Sequence, residues 1–451
     1  MLAIAAVVSP VAHALDLMEV WRAAAAHDAE FAAARAARSA GQALRTQAGA
    51  LWRPNVVLEG GAGWAASESA VRGARFSAPG FGETTGVAFD TSVTSGTSGR
   101  VALALRQPIV DRQREVRGRQ LLISADAAEA EWQDAQQSLI LRSAERYFDV
   151  ALAAEQLRLL TRQQAAVDRT YVEAQDRFRI GDRPVTDTHE AAARAAGLRA
   201  QRVAAETELE LKKVALADLS GLPVGAEPLL LPAPARETAA LEDLQVWLER
   251  ATTGSPILRM AEARQRTSEQ DARKTDSAFS PSLDVVAQVG RERLSGHGDF
   301  GSASNTTSNR AVGVQLVIPL YTGGMRSAQQ TEALARVEKA ASELESAHRQ
   351  VSLLARGAWL ELSAGAGRIG ALEAALLASR ARLDATRVGL KAGDRTTLDL
   401  LNAENDSAAA ELALLHARTR LLLGRLRLAA LAGQLDDSRL QQVNGLLQPS
   451  R

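Results

Sequence analysis

The chain has 451 residues, with 53 Lys plus Arg against 53 Asp plus Glu and no Cys. Balanced charge gives no case for nucleic acid or an anionic surface as partner. The lack of Cys removes disulfides, thiolate catalysis, zinc–thiolate sites and an acylated N-terminal Cys.

Taken in chain order, the first feature is an apolar run, Leu2–Val8, followed by Ala12-His13-Ala14. This fits a signal peptide over residues 1–14, with the mature chain starting at Leu15. A basic n-region is missing, which points to a start further upstream or an atypical signal. No later run of 18 apolar residues occurs, so entry into a membrane would have to be as β-strands.

The 13 Pro residues map the rest. Proline costs a helix interior roughly 3 kcal/mol, so the Pro-free stretches 109–183 and 320–447 are where long helices fit. The first structural repeat, 15–233, reads as a helix ending near Trp52, strands 55–64 and 100–108, a long helix 111–179 and a helix 184–220. Val56, Leu58, Gly60, Ala62 and Trp64 share one face, as do Val101, Leu103 and Leu105. Residues 65–99, heavy in Gly, Ser and Thr, read as an exposed hairpin loop. In the long helix, Leu121, Ala125, Ala128, Trp132, Ala135 and Leu139 follow the 4-3 spacing of a coiled-coil seam. At about 1.5 Å per residue, that helix measures on the order of 100 Å, longer than any compact globule holds.

A Pro-rich linker, 222–235, leads into the second repeat, 234–451. This again begins with a helix, then strands 282–290 and 311–319, a long helix 323–391 and a helix 396–433. Leu283, Val285, Ala287 and Val289 alternate in one strand, and Val312, Val314, Leu316 and Ile318 in the other, with a polar loop predicted over 291–310. Pro54 and Pro281 precede strands; Pro108 and Pro319 end them. Gly181-Asp182-Arg183 with Asp187 recurs, 212 residues on, as Gly393-Asp394-Arg395 with Asp399. Two shorter helices, 16–52 and 184–220, are long enough to pair end to end along one long helix. The predicted result is a helical cylinder with the strands at one end.

Each strand is 9 or 10 residues, enough to cross a bilayer when tilted, although a half-buried soluble strand alternates in the same way. Four strands cannot close a membrane barrel and open edges are not tolerated in lipid. Three chains would supply twelve strands.

The segments LDLMEVWRAAAAHDAEF (15–31), QQSLILRSAERYFDVALAAE (136–155), RFRIGDRPVTDTHEA (177–191), VIPLYTGGMRSA (317–328), LESAHRQV (344–351) and AGDRTTLDLLNAE (392–404) occur in an order that resembles the TolC family of outer-membrane channel proteins. The resemblance covers nearly the whole mature chain. It implies a mainly α fold with a membrane β-barrel: a homotrimer whose long antiparallel helices form a tunnel and whose strands make a 12-stranded barrel. It also implies outer-membrane location with extension into the periplasm, no catalysis and no cofactor. The implied partners are a periplasmic adaptor, an inner-membrane ABC transporter, the exported substrate and outer-membrane lipid. His27-Asp28 stands where the family usually carries Asn-Pro.

By the same resemblance, the Gly-Asp-Arg turns are the periplasmic tips of helical hairpins. Asp399 then falls on a pore-lining acid and Asn402 where close relatives have a second acid. Arg395 falls on a gate latch whose partners are Thr186 and Asp187, and Leu390 stands where a latch Tyr is expected. Local chemistry accounts for part of this without a gate. Gly181 and Gly393 suit left-handed helix ends, Thr186 and Thr396 suit N-caps, and Asp187 and Asp399 suit the helix dipole. Asp399 and Asn402 are neighbours at i and i+3. Three Asp399 brought together would favour cations and raise one another's pKa, and Asn402 in place of an acid predicts weaker cation selectivity and weaker divalent block. Trp52, Trp64, Phe279 and Tyr321 border the strands as an aromatic girdle or as helix–barrel packing. The charges on the long helices read as solvated faces.

The function these readings favour is a passive exit duct of a tripartite exporter, most directly a type I system exporting a protein toxin. TGGM (322–325) and LESAHR (344–349) lean toward that branch, with the cyclolysin secretion proteins as the nearest group. The alternative within the class is a multidrug efflux pump. A different class is a periplasmic coiled-coil adaptor or scaffold. No phosphate loop, nucleophile elbow or metal-ligand cluster supports an enzyme.

Overall fold

The computed structural model describes residues 15–182, 184–225, 229–233, 241–277, 280–299, 301–321 and 323–448. The signal segment, Arg183 and Phe279 lie outside these. In chain order the elements are α1 (Leu17–His27), α2 (Ala29–Ala50), β1 (Asn55–Ala78), β2 (Gly82–Val110), α3 (Arg112–Arg179), α4 (Val185–Ser220), β3 (Leu231–Pro232), α5 (Leu244–Gly254), α6 (Pro256–Ser277), β4 (Ser282–Gly298), β5 (Gly301–Val317), α7 (Met325–Ala392), α8 (Thr397–Leu431), α9 (Asp437–Asn444) and β6 (Leu447–Gln448). The repeat is close at element level. α1 and α5 both have 11 residues, α2 and α6 have 22, α3 and α7 have 68, and α4 and α8 have 36 and 35.

The chain divides into two compact units. One, helical, takes Met1–Gly41, Asp126–Arg264 and Ala340–Arg451. Its start differs from the single predicted helix over 16–52. Asp28 adopts an extended backbone that ends α1, and its carboxylate then accepts from the Glu30 and Phe31 N–H groups to begin α2. Arg142 holds Asp28 at 2.6 Å and Glu30 at 2.5 Å. The second copy makes the same break at Ser255-Pro256, where the missing proline N–H costs nothing at a first helical position. The ends of α5 and α8 then meet so closely that a side chain on Gly254 would strike the Ala432 carbonyl at 2.3 Å.

The main core joins Leu17, Val20, Ile140, Phe148, Leu216, Leu426 and Leu440 around Tyr147. The Tyr147 hydroxyl donates to the Leu15 carbonyl at 3.2 Å and accepts from the Leu230 N–H at 2.8 Å. Burial pushes its pKa far above the ordinary tyrosine value. Beside it, β3 and β6 pair as a two-residue ladder that ties the linker to the C-terminal segment. A second cluster packs Trp247, Leu258, Val351, Leu362 and Leu428. The seam of α3 is buried or partly buried at all six expected positions, and Trp132 stacks on Phe31 with ring centroids 4.8 Å apart.

The other unit takes Gln42–Ala125 and Gln265–Lys339 and contains a four-stranded antiparallel sheet in the order β1-β2-β4-β5. The β2–β4 pairing joins the two repeats, with Leu103 opposite Val289 and Leu105 opposite Ala287. The strands are much longer than the sequence suggested. The described residues of 65–99 and 291–310 are not loops but paired strand, interrupted by turns at 79–81 and at Asp299. Hydropathy misleads there because cross-strand bonds satisfy the backbone whatever the side chains, so Ser, Thr and Gly can continue a ladder without burial.

Register sorts the sheet into two faces. One carries Val56, Leu58, Leu103, Leu105, Val285, Val289, Val312, Val314 and Leu316, and most of these side chains are exposed. The opposite face carries Asn55, Glu59, Arg100, Arg106, Asp284, Gln288, Glu292 and Gln315. Ala102, Asp284 and Leu294 are buried on this side, which identifies it as the concave side of the curled sheet. Asp284 accepts from Arg106 at 2.5 Å. Among the described strands, β1 and β5 each pair on one side only.

Candidate functional site

Both Gly-Asp-Arg turns are Schellman ends. The Gly181 N–H donates to the Phe178 carbonyl at 3.0 Å and the Asp182 N–H to Arg177 at 2.9 Å. In the second copy the Gly393 N–H donates to Leu390 at 3.3 Å and the Asp394 N–H to Gly389 at 2.9 Å. Both glycines have positive φ, +78° and +85°, a conformation that costs other residues dearly.

The helices that follow start differently. Thr396 caps α8: its hydroxyl accepts from the Asp399 N–H at 3.1 Å, while the Asp399 carboxylate accepts from the Thr396 N–H at 3.0 Å and its hydroxyl at 2.9 Å. The residue 212 positions earlier is Pro184, which has no side-chain donor or acceptor. It is the N-cap of α4, with no side-chain cap bond. Thr186 is therefore not an N-cap, as the sequence suggested; it is the second helical residue and exposed. The proline, with φ fixed near −72°, starts the helix two residues earlier.

This difference frees one acid and occupies the other. Asp187 and Asp399 hold the same third helical position, but Asp187 has no cap to close and instead accepts from the Thr397 hydroxyl at 3.4 Å. That bond ties the start of α4 to the start of α8. Asp399 is held below the ordinary aspartate pKa, first by the Thr396 N–H, then by the Thr396 hydroxyl, with help from Arg395 and Arg382. The stem of Arg395 folds back over Gly389, where an added Cβ would meet its Cγ at 2.8 Å. Within one chain, then, Thr397 reaches Asp187, and Arg395 lies on its own hairpin. Asn402 is exposed and borders a groove of about 380 Å³ between α4 and α8, with Glu190, Arg194, Gln201 and Leu398. Below it, Leu401 packs on Val167, Ala195 and Leu198.

Charges on the long helices were expected to be solvated faces. Many instead bridge helices. Glu411 on α8 takes Arg162 of α3 at 3.4 Å and Arg380 of α7 at 3.2 Å. Arg382–Asp406 and Arg387–Glu404 link α7 to α8 at 2.8 and 3.3 Å. Partly exposed pairs contribute about 0.2–1 kcal/mol each, so they set helix register more than stability. Sequence reading missed them because their partners lie on other helices. Of the aromatic residues bordering the strands, Trp64 is 80% and Tyr321 87% exposed, and Trp52 is marginally exposed.

A sheet with an apolar outer face and two unpaired edges, built into duplicated long-helix hairpins, defines a class: the membrane channel proteins whose strands carry helical hairpins. The chain belongs to the outer membrane efflux protein family, whose model matches residues 20–222 and 247–434. It is similar to the proteases secretion protein PrtF of Dickeya chrysanthemi, 26% identical over 96% of this chain and 91% of that one. It is also similar to the outer membrane protein TolC of Vibrio cholerae, 28% identical over 72% and 75%. The alkaline protease secretion protein AprF of Pseudomonas aeruginosa is 28% identical over 76% and 71%. Among solved structures the fold matches the outer membrane protein VceC of Vibrio cholerae with a TM-score of 0.71, at 20% identity over 92% and 96%. The outer-membrane channel OprN matches with a TM-score of 0.72, at 20% identity over 93% and 90%. The chain is thus an outer-membrane efflux channel protein that extends into the periplasm. Channels of this family work with periplasmic adaptors and inner-membrane pumps.

Proposed function

We propose that three copies of this chain close a twelve-stranded barrel and form the exit duct of a type I secretion system that exports a protein toxin. The adaptor and an inner-membrane ABC transporter would open the duct at the helical tips. The observation that most supports protein as cargo is the similarity to PrtF, which runs along 96% of this chain and 91% of that secretion protein. Removing the chain from its host should stop release of the exported protein into the medium while leaving its synthesis intact. Unchanged release, together with new sensitivity to small toxic compounds, would favour multidrug efflux instead. That second reading draws on the similarity to the outer membrane efflux protein BepC of Brucella suis, 25% identical over 76% of this chain.

The tip is the proposed gate. Asp399 and Asn402 line the constriction, and Arg395 latches Thr186 and Asp187 of a neighbouring hairpin. The contact of Thr397 with Asp187 holds that acid near the start of α8, and the exposed Arg395 is available to it. Arg395→Ser should raise single-channel conductance in planar bilayers. Unchanged conductance from intact oligomers would remove the latch from the account.

A further inference from the structure

The outward face of the sheet changes character abruptly on the two strands of the second repeat. Along β4 it runs Leu283, Val285, Ala287, Val289 and then Arg291 and Arg293; along β5 it runs Leu316, Val314, Val312 and then Arg310. Arg291 is opposite Val101 and Arg310 opposite Val289, so the three guanidiniums share the apolar face. All three are exposed, and among the described residues none pairs with a carboxylate. The acids nearest in register, Glu59 and Glu292, lie on the concave face, opposite Ala102 and Arg100.

The apolar band itself slants through the register. It continues to Trp64 on β1, which is opposite Thr97, but stops at Val101 on β2, Val289 on β4 and Val312 on β5. A band of constant height cuts tilted strands in this way. Trp64, Arg291 and Arg310 therefore border the same edge of the band. Helices flank every strand at the other edge, and both hairpin turns lie beyond this one. With the helices in the periplasm, the arginines stand at the headgroup level of the outer leaflet.

We infer that Arg291, Arg293 and Arg310 bind the phosphates of the phosphorylated glycolipid of the outer leaflet. This rests on the outer-membrane location established above. Arginine suits the task because its planar fork takes phosphate oxygens two at a time. Two strands bring the three forks together with apolar surface directly beneath them for acyl chains. A basic cluster near a membrane surface gains roughly fivefold in affinity per arginine.

The test uses the full-length protein purified from outer membranes. Native mass spectrometry would compare binding of diphosphoryl lipid A with its dephosphorylated form. The native protein should favour the phosphorylated lipid by at least about tenfold. The triple substitution Arg291→Gln, Arg293→Gln, Arg310→Gln should abolish that preference, and Arg100→Gln on the concave face should keep it. If the triple variant fails to insert, Arg293→Gln alone must lower the preference several-fold. Equal binding of the two lipids by the native protein, full preference in the arginine variants, or complete competition by inorganic phosphate would overturn the assignment. A native chain absent from outer membranes would instead overturn the location on which it rests.

Discussion

At the scale of single residues, the contrast between Pro184 and Thr396 decides what each tip acid does. Thr396 engages Asp399 in a capping box, whereas Pro184 leaves Asp187 to bridge to Thr397. Thr396→Ala should cost about 1 kcal/mol of local helix stability. It should also change the pH response. A carboxylate with a lowered folded pKa contributes stability that is complete above its unfolded pKa and is lost as pH falls through the folded pKa. For Asp399 that places the loss below the ordinary aspartate value, while mutual repulsion of three such acids in the proposed ring acts in the opposite direction. Removing the cap should therefore move the acid-dependent change in channel conductance to higher pH. A titration in planar bilayers that superimposes on the native curve would contradict this role for the cap. The twin turns were legible in sequence from their Gly-Asp-Arg repeat. The asymmetry was also written there, at position 184, but its consequence depends on α4 and α8 lying side by side, which spacing alone does not show.

At the scale of elements, the long helices were legible because proline-free, Ala- and Leu-rich stretches leave few alternatives, and the α3 seam lies where its spacing put it. The break at Asp28 was not, since His27-Asp28, with no Gly or Pro beside it, carries little helix-ending signal until Arg142 and the α2 amides are in place. The upper strands escaped notice for a related reason: their ladders satisfy the backbone while their side chains remain polar. The β3–β6 ladder is too short for any periodicity. It is nevertheless anchored through Tyr147, whose hydroxyl serves two backbone groups of distant segments. Tyr147→Phe leaves both unsatisfied and should lower stability by about 1–3 kcal/mol. Thermal unfolding of the helical portion would show it, and an unchanged midpoint would mean that water replaces the hydroxyl without loss.

At the scale of the whole molecule, duplication supplies two helical hairpins and four strands but leaves β1 and β5 with unpaired edges. Open edges are not tolerated in lipid, so an apolar-faced sheet of this kind requires neighbours that continue it. Sequence alternation located the apolar face correctly on all four strands. It could not show what completes the sheet, because alternation along a strand reports which face is apolar and not which strand lies next to an edge. The most direct measurement is therefore the state of the protein in fractionated membranes. The protein should be recovered in the outer-membrane fraction as a species of three chains that falls to single chains on heating. Recovery as a soluble single chain would contradict the three-chain barrel.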